Sequence, residues 1–150
     1  MNFQNYFNLN EHVDKFDINW QLVRTNARDI KDVDNKIAYV LRFLNDHPNK
    51  DNYGRVHNWL RMTKLGYKSE PEKAQRFEHA LDRIENSKDI YNSDEQYPAE
   101  LSSVTNDQLL KVYKDLKKRK YGFQIKTVPK AHTDFLAKLE EELKRRRISF

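Results

Sequence analysis

Eight consecutive residues constrain this chain more than any others: Ile37-Ala38-Tyr39-Val40-Leu41-Arg42-Phe43-Leu44, seven of them apolar or aromatic. Elsewhere apolar residues come mostly singly or in pairs between charges. So dense a run must be buried around most of its circumference, and other segments have to pack around it. Val40, Leu41 and Leu44 are expected at its most buried positions.

The segments available to pack there carry single apolar stripes at helical spacing. Trp20, Val23, Ala27 and Ile30 follow 3-4-3 intervals. Phe16, Ile18, Trp20 and Leu22 also alternate with Asp17, Asn19 and Gln21, which is a strand pattern, but the helical register runs further and a helix is expected. Residues 1–17 mix Phe3, Tyr6, Phe7 and Phe16 with Asn, as an irregular arm tucking its rings onto the core would. Asp34 is the expected N-cap of the helix carrying the apolar run, and Pro48 lies just past its end. A helix from about 52 to 65 places Tyr53, Val56, Trp59, Leu60 and Thr63 on one face. Gly66 would close it as a Schellman glycine with Tyr67 against Met62. Ser69-Glu70-Pro71-Glu72 reads as a capping box with proline in the first turn, opening a helix with Ala74, Phe77, Leu81 and Ile84 inward.

Residues 86–103 are polar, contain Pro98 and break all periodicity, a loop to be pinned by Ile90, Tyr91 and Tyr97. Thr105-Asn106-Asp107-Gln108 is a second capping box, leading Leu109, Leu110, Val112, Tyr113 and Leu116 inward. Tyr121, Phe123 and Ile125 alternate, predicting a short extended piece over 121–128. Pro129 then opens a last helix with Phe135, Leu136, Leu139 and Leu143 on its face. The expected fold is all-α: a single-domain bundle of five or six helices, with room for one or two short extended segments. Its expected parts are a helical core over 1–86, a polar linker or surface loop over 87–104, and a basic helical hairpin over 105–150 docked on the core.

Composition suits that architecture. The apolar fraction of 37% lies below the usual ~45–50% and the charged fraction of 34% above the usual ~25%, giving a slim core and long solvated faces. Aromatics at 12% are too many for a disordered chain. The absence of cysteine removes disulfides, thiolate nucleophiles and sulfur-ligated zinc. No stretch approaches the ~20 apolar residues of a membrane span, and the first twenty residues hold no apolar leader core. A soluble chain in the cytoplasm is expected, the host cytoplasm if the abundant Asn and Lys reflect an AT-rich viral genome.

Chemical constellations are sought and not found. His12, His47, His57, His79 and His132 show no helical pairing with one another or with Glu, so no metal is expected. Gly54, Gly66 and Gly122 stand far apart, excluding phosphate and dinucleotide loops, and no nucleophile elbow occurs. No catalytic residue, cofactor or enzymatic activity is expected.

Charge is the remaining signal. The formal net charge is +5 and the pI about 9.3. On the 106–119 helix a 100° step places Lys111, Lys114 and Lys118 together, opposite the apolar face. Lys117, Arg119, Lys120, Lys126 and Lys130 extend the cluster, and Arg145, Arg146 and Arg147 follow. A phosphate backbone would lie on this surface, with Tyr121 and Phe123 available to stack on bases. Glu140-Glu141-Glu142 before Lys144-Arg145-Arg146 also forms favourable i,i+4 pairs, a purely structural account of that charge run. The helix–Gly66–helix unit, with Arg55, Arg61 and Lys64, has a helix-turn-helix outline. Its second helix opens with Glu70 and Glu72, which phosphates would repel, so an αα-hairpin serving the core is the better account.

The expected function is non-catalytic binding of nucleic acid, DNA or RNA, with little sequence reading. The alternative is a small adaptor or inhibitor of viral or accessory type that docks on a host protein or nucleic-acid-processing complex. Tyr39 and Phe43, if exposed as a pair, would be its partner site. The C-terminal helix also offers a stripe through which a homodimer could form.

Overall fold

Asp32 and Asn49 start two consecutive helices in the same way. Each side chain accepts a hydrogen bond from the backbone N–H three residues on, Asn35 at 2.9 Å and Asn52 at 2.7 Å. The computed structural model describes residues 17–95, 101–118 and 130–150. These form six α-helices and no strand: α1 (Ile18–Asp29), α2 (Val33–Asp46), α3 (Lys50–Leu65), α4 (Pro71–Asn86), α5 (Asn106–Lys118) and α6 (Lys130–Arg145). Two 3-10 turns, Lys88–Tyr91 and Leu101–Ser103, lie between α4 and α5. The expected all-α class holds. The extended piece over 121–128 and the arm over 1–16 lie outside the described residues.

Local departures from the expected pattern have local causes. Asp34 is not the cap of α2; Val33 is buried, so the helix begins ahead of it, with Asp32 as N-cap and Asp34 in the first turn. Gly66 has φ of −70°, right-handed backbone, so no Schellman motif forms there. Its N–H donates to Thr63 O and the Tyr67 N–H to Lys64 O, both at 3.0 Å, winding the chain through tight turns. Those turns stack the Tyr67 ring on Phe77, 5.2 Å between centroids, and leave Met62 exposed. Nor does the Ser69 box close. Glu70 takes the N-cap position without a side-chain cap, and Lys73 Nζ reaches back to Glu70 Oε1 at 2.8 Å.

The apolar run forms α2, with Val33, Ile37, Val40, Phe43 and Leu44 buried. Val40 and Leu44 are fully buried, but Leu41 is only half-buried and Ala38 and Arg42 are exposed. The run is therefore a deep stripe with an open back, not a helix enclosed on all sides.

The chain divides into two compact units, one combining residues 1–25 with 98–150, the other spanning 26–97. The division falls inside α1, between Thr25 and Asn26, whereas the sequence suggested segments at 1–86, 87–104 and 105–150. In the 26–97 unit, α3 and α4 form an αα-hairpin. It is tied by a Lys64–Glu78 ion pair, by His57 Nε2 and Glu85 Oε1 at 2.8 Å, and by the Trp59 and Phe77 rings at 6.1 Å. Arg76 Nη1 lies 3.2 Å from Asp34 Oδ2, linking α4 to α2. The chain after α4 is pinned back by Tyr91, whose hydroxyl donates to Asn45 Oδ1 at 3.1 Å, and by the Lys50 N–H donating to Ser93 O at 3.0 Å. Ile90 does not help to pin it and is exposed, and Tyr97 lies outside the described residues.

In the other unit, α5 and α6 pack around Leu109, Val112, Tyr113, Leu116, Phe135, Leu139 and Leu143, joined by Val104 and by Ile18 from the first turn of α1. Leu110 and Leu136 lie at the edge of this cluster, half-buried.

Candidate nucleic-acid interface

The capping box that opens α5 forms as the sequence predicts. The Gln108 N–H donates to Thr105 Oγ1 at 3.2 Å, and the Thr105 N–H to Gln108 Oε1 at 3.3 Å. This start fixes the helix register, and the register fixes its faces. Leu109, Val112, Tyr113 and Leu116 are buried, while Lys111, Lys114, Lys117 and Lys118 are all exposed. Lys111, Lys114 and Lys118 share the face opposite the buried one. Lys117 stands at its flank, its ammonium 5.8 Å from the Tyr113 ring centroid, a cation–π contact that steadies it. Lys130, at the first turn of α6, is also exposed. Arg119, Lys120, Tyr121, Phe123 and Lys126 lie outside the described residues.

The three C-terminal arginines, one cluster in the sequence, do three different things. Arg145 Nε donates to Glu142 Oε2 at 3.0 Å, and its side chain stays largely in solvent. Arg146 is a structural clamp. Its Nε donates to Glu142 Oε1 at 2.9 Å, Nη1 to Val104 O at 2.7 Å and Asn106 Oδ1 at 3.0 Å, and Nη2 to Leu101 O at 2.8 Å. It thus holds the Leu101–Ser103 turn and the start of α5 against the end of α6. A phosphate could be contacted only by breaking those bonds, so Arg146 leaves the set of candidate contacts. Arg147 is exposed and has φ of 58°, the one left-handed non-glycine among the described residues. The Ile148 N–H donates to Leu143 O at 3.0 Å and the Arg147 N–H to Lys144 O at 2.9 Å, completing a Schellman motif with Arg147 at the position glycine normally takes.

Several carboxylates of this unit are turned to internal work. Glu142 serves both arginines, and hydrogen bonds from Arg145 and Arg146 hold its carboxyl down to about 2. Glu140 Oε1 accepts from the Tyr113 hydroxyl at 2.7 Å. Burial, then that hydrogen bond, pushes the Tyr113 phenol up to about 12. Asp115 Oδ2 accepts from Thr25 Oγ1 at 3.4 Å. Among the described residues of this unit, Asp107, Asp134 and Glu141 are the exposed acids. Residues 26–97 hold as many Lys and Arg as Asp and Glu, so the whole formal charge of +5 belongs to the unit that carries α5 and α6.

Other expected sites read differently. Phe43 is 7% exposed, with its ring 5.3 Å from that of His47, and half-buried Tyr39 accepts from Asn26 Nδ2 at 3.2 Å. They are not an exposed pair. The apolar stripe of α6 is buried within its own unit. In the α3–α4 hairpin Lys64 pairs with Glu78, and Arg55 Nη1 donates to Asn52 Oδ1 at 2.8 Å, in keeping with a structural hairpin.

No helix among the described residues is long and apolar enough to cross a membrane. No group of three His, Asp or Glu among them is placed to hold a metal ion. Compared with protein-family models, curated proteins and solved structures, the chain matches none.

Proposed function

We propose that the chain is a non-catalytic nucleic-acid-binding protein that engages the phosphate backbone through the outer face of α5. One observation carries this reading: Lys111, Lys114, Lys117 and Lys118 are all exposed on a helix whose opposite face is locked into a core. They lie in the unit that bears the chain's entire net charge. Lysines on a rigid helix form a fixed array of point charges that neutralises phosphates and releases condensed counterions. The same face lacks the arginine, asparagine and glutamine forks that read base edges, so it favours backbone contact with little sequence discrimination. Lys130, Arg145 and Arg147, also exposed, would extend the contact.

The test is a titration of DNA and RNA oligonucleotides at several salt concentrations. Affinity falls steeply between about 50 and about 200 mM salt if phosphates are neutralised. Changing Lys114, Lys117 and Lys118 to Gln abolishes binding and lowers the melting temperature little, because all three are exposed and the cation–π contact of Lys117 with Tyr113 is worth only about 0.5–1 kcal/mol at such a site. Undetectable binding at low salt overturns the reading and favours the adaptor or inhibitor.

A further inference from the structure

The chain beyond α6 folds back onto α5. The left-handed corner at Arg147 turns it, and Ile148 packs half-buried against the core between α5 and α6. Two residues on, the Phe150 ring meets the Tyr113 ring in a T-shaped contact, 5.1 Å between centroids and 73° between planes. Tyr113 is a fixed support: it is buried, and its hydroxyl donates to Glu140 Oε1 at 2.7 Å.

Phe150 is nevertheless 49% exposed. Every other aromatic ring among the described residues is buried or half-buried, so the core has no use for the open part of this one. A T-shaped contact occupies one edge or one face of a ring and leaves a face uncovered.

Beside that ring stands a cation. The Lys117 ammonium lies 5.8 Å from the centroid of the same Tyr113 ring. Phe150 and Lys117 therefore share one support, and Lys117 leads onto exposed Lys114 and Lys118 of α5. An open aromatic face next to a row of fixed cations suits a ligand that offers phosphates and flat rings together. A single strand does so, because its unpaired bases are free to stack on a side chain while its backbone follows the charges. A duplex offers the phosphates alone, since its bases are already stacked inside and out of reach.

We infer that Phe150 is a stacking platform for a base, and that the ligand of the α5 surface is single-stranded nucleic acid. This rests on the proposed phosphate binding by α5 and adds to it the strand state and a base contact. Nothing local in the sequence marks Phe150 for the task, because only the turn at Arg147 brings it to the lysines.

The test titrates the full chain at about 50 mM salt with probes of equal length: oligo-dT, its duplex with oligo-dA, and an abasic strand carrying the same phosphates. Charge alone favours the duplex, whose phosphates are more densely spaced. With stacking, oligo-dT binds at least as tightly as the duplex and about tenfold tighter than the abasic strand. Phe150→Ala removes that advantage and leaves affinity for the duplex and the abasic strand within about twofold. Phe150→Trp keeps the advantage, and its added indole fluorescence is quenched by oligo-dT and not by the abasic strand. Oligo-U, titrated in parallel, tells RNA from DNA, and circular dichroism reads the fold of each variant. Equal affinity for oligo-dT and the abasic strand overturns the inference and leaves phosphate binding standing. So does an advantage that survives Phe150→Ala. Undetectable binding of every probe overturns both readings.

Discussion

Arg146 Nε lies 2.9 Å from Glu142 Oε1, and both side chains are only 13% exposed. The pair sits one turn apart at the end of α6, but its importance is not local. From this anchor the guanidinium reaches the carbonyls of Leu101 and Val104, more than forty residues earlier. It is the polar lock of the unit that carries the candidate interface.

Arg146→Met is therefore expected to destabilise by about 2–4 kcal/mol, leaving the carbonyls of Leu101 and Val104 without their charged donor and Glu142 with Arg145 alone. Urea unfolding followed by circular dichroism measures it. Nucleic-acid affinity of the folded variant, corrected for the unfolded fraction, is expected to stay within about twofold. A large loss of affinity in fully folded protein would return Arg146 to the interface.

Arg147→Gly has the opposite expectation. A left-handed residue with a Cβ is strained, and glycine relieves the strain, so stability rises by about 0.5–1 kcal/mol. Affinity falls modestly through the loss of one exposed charge. Arg147→Ala keeps the strain and loses the same charge, so comparing the two variants separates backbone from electrostatics.

Two pH arms follow from the same unit. The Glu142 carboxyl is depressed to about 2 in the fold from 4.5, so the folded state binds the proton less readily. Its stabilisation is present above pH 4.5 and is lost as pH falls toward 2. Glu142→Gln flattens that part of the melting profile. The Tyr113 phenol is raised from 10 to about 12, so its contribution is present below pH 10 and is lost as pH rises toward 12. Tyr113→Phe removes the alkaline arm, and thermal melts from pH 2 to 12 display both.

Core substitutions in α2 are expected to divide by face. Leu44→Ala, at a fully buried position, costs about 2–5 kcal/mol, whereas Leu41→Ala, only half-buried, costs under about 2 kcal/mol. Equal losses would mean that the back of α2 is closed in solution.

Much of the helical framework was legible in the sequence because caps and stripes are local. Thr105 with Gln108 specified the start of α5, and Pro71 the start of α4, within a few residues of chain. The lysine face was legible for the same reason: once α5 is a helix with Leu109, Val112, Tyr113 and Leu116 inward, Lys111, Lys114 and Lys118 must point outward. Less was legible where two local rules competed. Capping chemistry pointed to Asp34, and only the burial of Val33 moves the start of α2 back to Asp32.

What the sequence could not contain was which distant groups meet. Arg145, Arg146 and Arg147 are three equal cations in the primary structure, and only the tertiary fold makes one an exposed ion pair, one a clamp and one a left-handed corner. Likewise a single stripe from Trp20 to Ile30 predicts one helix, but the division of the chain between Thr25 and Asn26 is set by where the later segments pack. Periodicity is a property of neighbours along the chain and fixes helices and their faces. Partnership depends on long-range closure, which no spacing encodes, and so the tertiary structure alone decided which of these charges are spent on holding the fold together.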